Sequence, residues 1–275
     1  MDILMTHYNR AIKQRAGFSL VELSVVLVIL GLLTGGILAG QNLIRGAKLK
    51  SITSAKESTK MALDIFRDQY LDLPGDLPDA TDYWGAVGGA GAGAACFTAD
   101  ASAGGTCNGN GDGKINYAPG ATAGSDVWEW GERFHLWVHL AYAGLIEGKY
   151  TGKTDHPSLS FIGKGGVNLR ASKFSNGHYD VYSTPNVTSA DRFDNFRNVI
   201  SMTLMTMTGP GVLTPKEIWN IDEKIDDGLP GYGAIGTTKA STSYSPDCST
   251  SDTQSDAKYN LDHSDSDCRI LMLLE

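Results

Sequence analysis

The stretch RAGFSLVELSVVLVIL, from Arg15 to Leu30, places one carboxylate, that of Glu22, in a run that is otherwise almost wholly apolar. Apolar residues continue as far as Ala39, and about 20 of them are enough to span a bilayer as a helix. A carboxylate inside hydrocarbon costs a few kcal/mol. The stretch therefore predicts a membrane-spanning helix, and it raises the question of what stabilises its acid.

Three kinds of targeting segment compete for this region. A cleaved secretory signal needs small residues before the cut, and Thr34-Gly35-Gly36 is a poor match at the end of an unusually long apolar run. Leu38-Ala39-Gly40 resembles a lipoprotein signal, but Gln41 stands where the lipidated cysteine belongs. A retained membrane helix with a short cytoplasmic leader fits best, although basic residues flank both ends and give only a weak orientation signal.

The residues around Gly17 make this third class specific. Gly17 follows a short basic leader and precedes Phe18, and Glu22 is the fifth residue counted from Phe18. Over about the first 50 residues the chain resembles type IV prepilins and type II secretion pseudopilins, which carry a class III signal. The resemblance implies that prepilin peptidase cuts after Gly17 and that Phe18 is N-methylated. The matching residues are Gly17, Phe18, Leu20, Val21, Glu22 and Leu23.

The resemblance also implies how subunits assemble. After cleavage Phe18 has a free amine, and Glu22 lies one helical turn further on. Glu22 is expected to pair with the amine of a neighbouring subunit, which would offset the cost of burying its charge. The alternative is that Glu22 is protonated or pairs with its own terminus. Implied partners are further copies of the chain, prepilin peptidase, and an inner-membrane assembly platform with its ATPase.

The sequence predicts three parts, namely a cleaved leader (1–17), a long helix (18–71, with 18–39 as transmembrane segment and filament core) and an extracytoplasmic head (72–275). Apolar residues continue beyond the membrane run at helical spacing, which indicates one face packed on a core. Pro74 should end the helix. The fold class implied is α+β and type IV pilin-like, with the long helix packed against an antiparallel sheet head with loop insertions. The apolar positions are Ile44, Ile52, Ala55, Leu63, Phe66 and Tyr70.

The four cysteines form two close pairs in sequence, Cys96 with Cys107 and Cys248 with Cys268. An even count behind a membrane-targeting segment favours two disulfides in an oxidising compartment. Three connectivities exist, and two local bridges, each worth about 3 kcal/mol, are the simplest. Reduced buried thiols are the alternative.

The segment CNGNGDGKI places oxygen-bearing side chains at alternate positions, Asn108, Asn110 and Asp112, followed by a glycine and then Ile115. This order is typical of the first eight positions of a calcium loop. The twelfth position is proline rather than glutamate, so we expect weak calcium binding at most, and a simple turn is the alternative. Asp126, Glu129 and Glu132 are candidate replacements for the missing glutamate.

Further along, VWEWGERFHLWVHLAYAGLI predicts a second helix whose aromatic residues pack in the core, rather than binding a sugar or holding metal through His135 and His139. LSFIG, HYDVYST, RNVISMTLM and CRILMLL are candidate strands or short helices. In IWNIDEKIDDGLPGYG, Asp226-Asp227-Gly228 is interpreted as a solvated turn in preference to a cation site.

The charge and motif content of the chain limit the classes of function that it can have. The formal net charge is −8, which argues against specific nucleic-acid binding. The sequence contains no recognisable catalytic constellation, so we do not expect an enzyme. The leading prediction is a pilin of an extracellular filament with roles in adhesion, twitching motility or DNA uptake. A periplasmic pseudopilin and a minor or tip pilin acting as an adhesin are the alternatives. Ala39 stands where many type IV pilins have proline, which leaves the first two open.

Overall fold

A computed structural model of the chain describes residues 19–89, 96, 99–115, 131–153, 163–183, 192–194, 199–206, 209–242 and 247–274. The chain divides into two compact units, Met1–Ala47 and Lys48–Glu275. The predicted cleavage and methylation residues, Gly17 and Phe18, lie outside the described residues.

The first element is a long helix, α1, Leu20–Tyr70. It ends where Leu71 takes a left-handed backbone conformation, φ 61°, three residues before Pro74. The part that belongs to the second unit buries residues at helical spacing, as its apolar pattern predicts. Ile44 was expected on this face and is instead 59% exposed, because it precedes the second unit. The buried positions are Ile52, Ala55, Thr59, Ala62, Leu63 and Phe66.

The described part of the second unit contains three further α-helices. Helix α2 (Ala80–Trp84) is short, and α3 (Glu132–Tyr142) is buried at every position from Glu132 to Leu140. The aromatic residues of α3 therefore pack in the core, as expected. Helix α4 (Pro215–Ile225) starts with a capping box, in which Thr214 and Glu217 each accept the other's backbone N–H. Short 3-10 turns lie at Val87–Gly89 and Ala101–Ala103.

Five strands form one antiparallel sheet in the order β1-β2-β3-β5-β4. The α+β class is thus confirmed, and a long N-terminal helix with an antiparallel sheet is consistent with the expected pilin-like fold. Three of the candidate segments are strands β2, β3 and β5, whereas LSFIG lies outside the described residues except for Gly163. The strands are β1 (Arg170–Ala171), β2 (Gly177–Ser183), β3 (Ile200–Thr206), β4 (Ile235–Thr237) and β5 (Ile270–Leu273).

Polar contacts join the second half of α1 to the sheet. The Arg170 guanidinium, on β1, donates to Thr59 Oγ1 at 2.8 Å and to Ser58 Oγ at 3.0 Å. Lys60 Nζ donates to the carbonyl oxygen of Leu274, just after β5, at 3.0 Å. Because Thr59 is fully buried, the Arg170 contact satisfies a hydroxyl that has no access to water.

Two disulfides close short segments of the second unit. Cys96 is joined to Cys107 and Cys248 to Cys268, with Cα–Cα distances of 5.8 and 5.7 Å. Of the three possible connectivities, the structure therefore has the one with two local bridges.

Candidate functional site

The first half of α1 exposes a continuous apolar surface. Every Val, Leu and Ile side chain from Leu20 to Ile44 is at least half exposed, with a range of 50 to 86%. Burying fifteen such side chains is worth on the order of 20 kcal/mol or more. A surface of this size needs lipid or protein around it. Its residues are Leu20, Val21, Leu23, Val25, Val26, Leu27, Val28, Ile29, Leu30, Leu32, Leu33, Ile37, Leu38, Leu43 and Ile44.

Helix α1 is also the one helix in the described part of the chain that is long and apolar enough to cross a membrane. Its most apolar 18-residue window has a mean hydropathy of 2.4, and none of that window is buried. A signal sequence near the N-terminus has the same length and composition, so the distinction rests on the residues around Gly17.

Glu22 closes the N-terminal turn of this helix. The backbone N–H of Ser19 donates to Glu22 Oε2 at 2.9 Å, and the N–H of Val21 donates to Ser19 Oγ at 3.3 Å. Negative charge in the first turn is also favoured by the helix dipole. In the single subunit, therefore, the Glu22 carboxylate accepts a hydrogen bond from one backbone N–H of its own chain, that of Ser19.

Comparison with protein families identifies the segment. A model described as the prokaryotic N-terminal methylation motif matches residues 12–38. The chain carries a type IV pilin-like class III signal peptide. The matched range contains Gly17, Phe18 and Glu22, and this class of signal implies processing by prepilin peptidase and, in general terms, assembly into a pilus or pseudopilus. With the apolar helix, it indicates a membrane-anchored precursor. Comparisons with curated proteins and with solved structures find no match.

Within the head, the predicted calcium loop is closed by its own side chains. Asn110 Oδ1 accepts the N–H of Asp112 at 2.9 Å, and Asp112 Oδ1 accepts the N–H of Lys114 at 3.0 Å. Asn108 Oδ1 accepts the N–H of Thr81 at 2.8 Å, which attaches the loop to α2. Ile115 is fully buried, as the pattern of such a loop predicts.

A carboxylate that sequence reasoning missed lies inside this loop. Asp76 Oδ1 accepts the N–H of Gly111 at 2.7 Å and that of Asp112 at 3.3 Å, while Oδ2 accepts the N–H of Gly113 at 2.7 Å. Burial raises the pKa of Asp76 to about 6, against the opposing effect of these hydrogen bonds. Asp76 precedes the loop by more than 30 residues, so no local motif connects the two.

A second buried carboxylate approaches the same loop. Glu132, at the start of α3, accepts the N–H of Asn110 through Oε1 at 3.4 Å. Glu132 was one of three candidates for the missing calcium ligand, and Asp126 and Glu129 lie outside the described residues. Calcium binding by Asn108, Asn110 and Asp112 stays a prediction, with Asp76 and Glu132 as carboxylates at hand.

His135 and His139 of α3 form a buried relay with Thr106. Gly75 N–H donates to His139 Nδ1 at 2.8 Å, so that ring carries its proton on Nε2, which lies 2.9 Å from Thr106 Oγ1. Thr106 Oγ1 is in turn 3.2 Å from His135 Nδ1, and His135 Nε2 is 3.3 Å from the carbonyl oxygen of Cys96. All four ring nitrogens thus have protein partners, which supports a packing role.

Both imidazoles are held neutral by this environment. Burial lowers the pKa of His135 to about 4. For His139, burial and then the neighbouring His135 lower the pKa to about 3. A neutral ring suits the position of His139, because its Nδ1 accepts the N–H of Gly75.

Proposed function

We propose that the chain is the precursor of a structural subunit of a type IV pilus-like filament. Cleavage after Gly17 would expose the amine of Phe18, and its N-methylation would follow. The mature subunit would assemble through the apolar first half of α1, and the role would be structural rather than catalytic. The observation that carries the proposal is the methylation motif at residues 12–38 together with the exposed Val, Leu and Ile side chains of the first half of α1, from Leu20 to Ile44.

Glu22 is the residue expected to set the position of one subunit against the next. In the single subunit its carboxylate accepts one hydrogen bond, from the N–H of Ser19. Replacing this exposed hydrogen bond by a contact with a neighbouring subunit should cost little free energy. In the assembled state the charge of Glu22 would pair with the Phe18 amine of a neighbour. Such a pair would be buried among apolar side chains, where an ion pair is far stronger than in water.

Substitutions at Glu22 distinguish the effect of its charge from the effect of its hydrogen bond with the Ser19 N–H. Glu22→Gln keeps an oxygen that can accept the Ser19 N–H but loses the charge, whereas Glu22→Ala loses both. We expect both variants to be inserted and processed and both to fail in assembly. Glu22→Asp retains the charge on a shorter side chain and serves as the partial rescue.

The measurements are mass spectrometry of the N-terminus and quantification of sheared surface filaments. A Gly17→Lys precursor is the control for processing, because it should remain uncut. Filament yields from Glu22→Gln equal to those of the unchanged chain would show that the charge is not needed and would remove the pairing from the proposal.

A pseudopilin of a type II secretion system is the second candidate. The observation that favours it is that α1 continues as a helix through Ala39, where many type IV pilins have proline. A pseudopilin would form a periplasmic filament instead of a surface one. Imaging cells for surface filaments and identifying their bulk component by mass spectrometry separates the two, and a trace amount of this chain would indicate a minor or tip subunit.

A further inference from the structure

Three carboxylates meet at the C-terminal end of α4. Asp222 lies in the last turn and is fully buried, Asp226 is the residue that caps the helix, and Asp227 follows it. One carboxylate oxygen from each lies within 4.8 Å of the others. The negative end of the helix dipole points to the same place, which makes it unfavourable for anions.

One oxygen of each carboxylate has a hydrogen-bond donor, and these bonds fix the orientation of the three groups. Asp222 Oδ2 accepts the phenol O–H of Tyr259 at 2.7 Å, which connects α4 to the segment closed by the second disulfide. The other donors are backbone N–H groups, those of Ala234 and Ile235 to Asp226 Oδ2 and that of Leu229 to Asp227 Oδ1.

The second oxygen of Asp222 is different. Oδ1 is buried and has no hydrogen-bond partner in the described part of the chain, although the Gly228 backbone approaches the same carboxylate. A buried acceptor without a donor is destabilising by about 1–3 kcal/mol. Nor does any basic side chain among the described residues form an ion pair with Asp222, Asp226 or Asp227.

We propose that Asp222, Asp226 and Asp227 form a divalent-cation site that takes Ca²⁺. Oxygens bound to one Ca²⁺ at about 2.4 Å can be at most about 4.8 Å apart, and these three meet that limit. An all-oxygen set selects a hard cation, and Ca²⁺ tolerates irregular geometry better than Mg²⁺ does. The bound ion would add a partner to the Asp222 carboxylate and would neutralise most of the local charge.

The position of the site gives it a structural consequence. Asp222 and Asp226 belong to the end of α4, the Asp226 carboxylate also holds the start of β4 through the N–H of Ile235, and Tyr259 lies between Cys248 and Cys268. A cation here would tie these three segments together. The site is independent of the N-terminal helix and so goes beyond the proposed filament role.

The test uses the full mature chain in detergent, with calcium removed by a chelator. Sensitised terbium luminescence, with Ca²⁺ as competitor, measures site occupancy. We expect saturable binding with a Kd of about 0.1–1 mM, the range of extracellular calcium modules. A hundredfold excess of Ca²⁺ over its Kd should raise the Tm by about 5 °C or more. No saturable binding at millimolar Ca²⁺ would overturn the proposal.

Variants assign the binding to these residues. Asp227→Asn, and Asp226→Asn with Asp227→Asn, keep the hydrogen-bond acceptors and remove charge, and we expect at least a tenfold weaker affinity. Asp265→Asn removes the same charge from an exposed residue in the segment closed by the second disulfide, and this variant should bind Ca²⁺ as the unchanged chain does. Equal loss in this control would mean non-specific charge attraction and would contradict the site.

A further variant distinguishes the proposed Asp222 site from the predicted calcium loop at 108–115. Asp112→Asn affects the predicted loop at 108–115 and should leave the Asp222 site intact. If Asp112→Asn alone abolishes all binding while the Asp226→Asn, Asp227→Asn double variant binds normally, the ion belongs to the other loop and the proposal is wrong.

Discussion

Acidification should destabilise the head through the buried pair His135 and His139. The rings are neutral in the folded state, and the N–H of Gly75 occupies His139 Nδ1, so adding a proton to that ring breaks a buried hydrogen bond. The unfolded chain has no such constraint. Since the folded pKa of each ring lies below the unfolded value of 6.5, the stability is complete above pH 6.5 and is lost as the pH falls towards the folded pKa.

The size of the loss in unfolding free energy follows from the pKa shift of His135. For His135 the pKa falls from 6.5 to about 4, and one pKa unit corresponds to 1.36 kcal/mol. Between pH 7 and pH 4.5 this ring alone should therefore lower the free energy of unfolding by about 2.5 kcal/mol.

Two buried carboxyl groups titrate in the same range with the opposite sign. Burial raises the pKa of Asp76 and of Asp222 to about 6, so the folded state takes up protons before the unfolded state does. Their contribution to stability grows as the pH falls through 6. The pH dependence of the unchanged chain therefore sums opposing effects, and a difference between two variants is needed to isolate the histidine.

The assay is urea unfolding of the full mature chain in detergent, with disulfides intact, followed by tryptophan fluorescence at pH 7 and pH 4.5. His135→Gln retains a donor for the Cys96 carbonyl but does not titrate. It should lose about 2.5 kcal/mol less than the unchanged chain on acidification. His263→Gln, at a partly exposed histidine that contacts Asp267, is the control and should not reduce the loss of stability on acidification. Parallel pH curves for His135→Gln and the unchanged chain would refute the reasoning.

Two further predictions concern α1. Arg170→Met removes the donor that satisfies the buried Thr59 hydroxyl, and it should lower the free energy of unfolding by about 1–3 kcal/mol, measured from the urea midpoint. Lys173→Met, at a charged residue close by in sequence, should change the midpoint little. Gly35→Ala adds a methyl group that meets nothing within 4 Å and should stabilise the helix by up to about 1 kcal/mol. If local unwinding of α1 is part of assembly, filament yield falls in this variant while processing is unchanged, and an unaltered yield argues against unwinding.

The sequence predicts two of the four described helices, α1 and α3, and part of the sheet. Helix α1 and the aromatic helix α3 have long apolar patterns, and such patterns survive tertiary context. Strands β2, β3 and β5 also lie in predicted segments. Strand β4 was missed, because three residues of Ile-Gly-Thr provide no alternation to recognise, and they become a strand only by pairing with β5. Ile44 was misplaced because an apolar period does not tell which part of a long helix meets the core.

The head sites were harder to predict, because their partners are distant in sequence. The loop pattern around Asp112 pointed to a cation, yet the structure inserts the Asp76 carboxylate, whose acceptors satisfy the backbone N–H groups of the loop. At Asp226 and Asp227 the pattern favoured a solvated turn. The burial of Asp222 and its contact with Tyr259 were not visible, because that contact spans 37 residues.

Three carboxyl groups, those of Asp76, Glu22 and Asp222, lie where burial or a membrane disfavours their charge. They differ in the hydrogen-bond partners that the protein provides. Asp76 is buried, and backbone N–H groups donate to both its oxygens, so neither oxygen is left without a donor. Glu22 has a local N–H partner but would lose water on assembly, so a neighbour's amine gives it a reason to be charged. Asp222 is buried with one oxygen unsatisfied and with two further carboxylates beside it. Because backbone groups do not complete its shell, Asp222 is the acid at which a cation would change stability most.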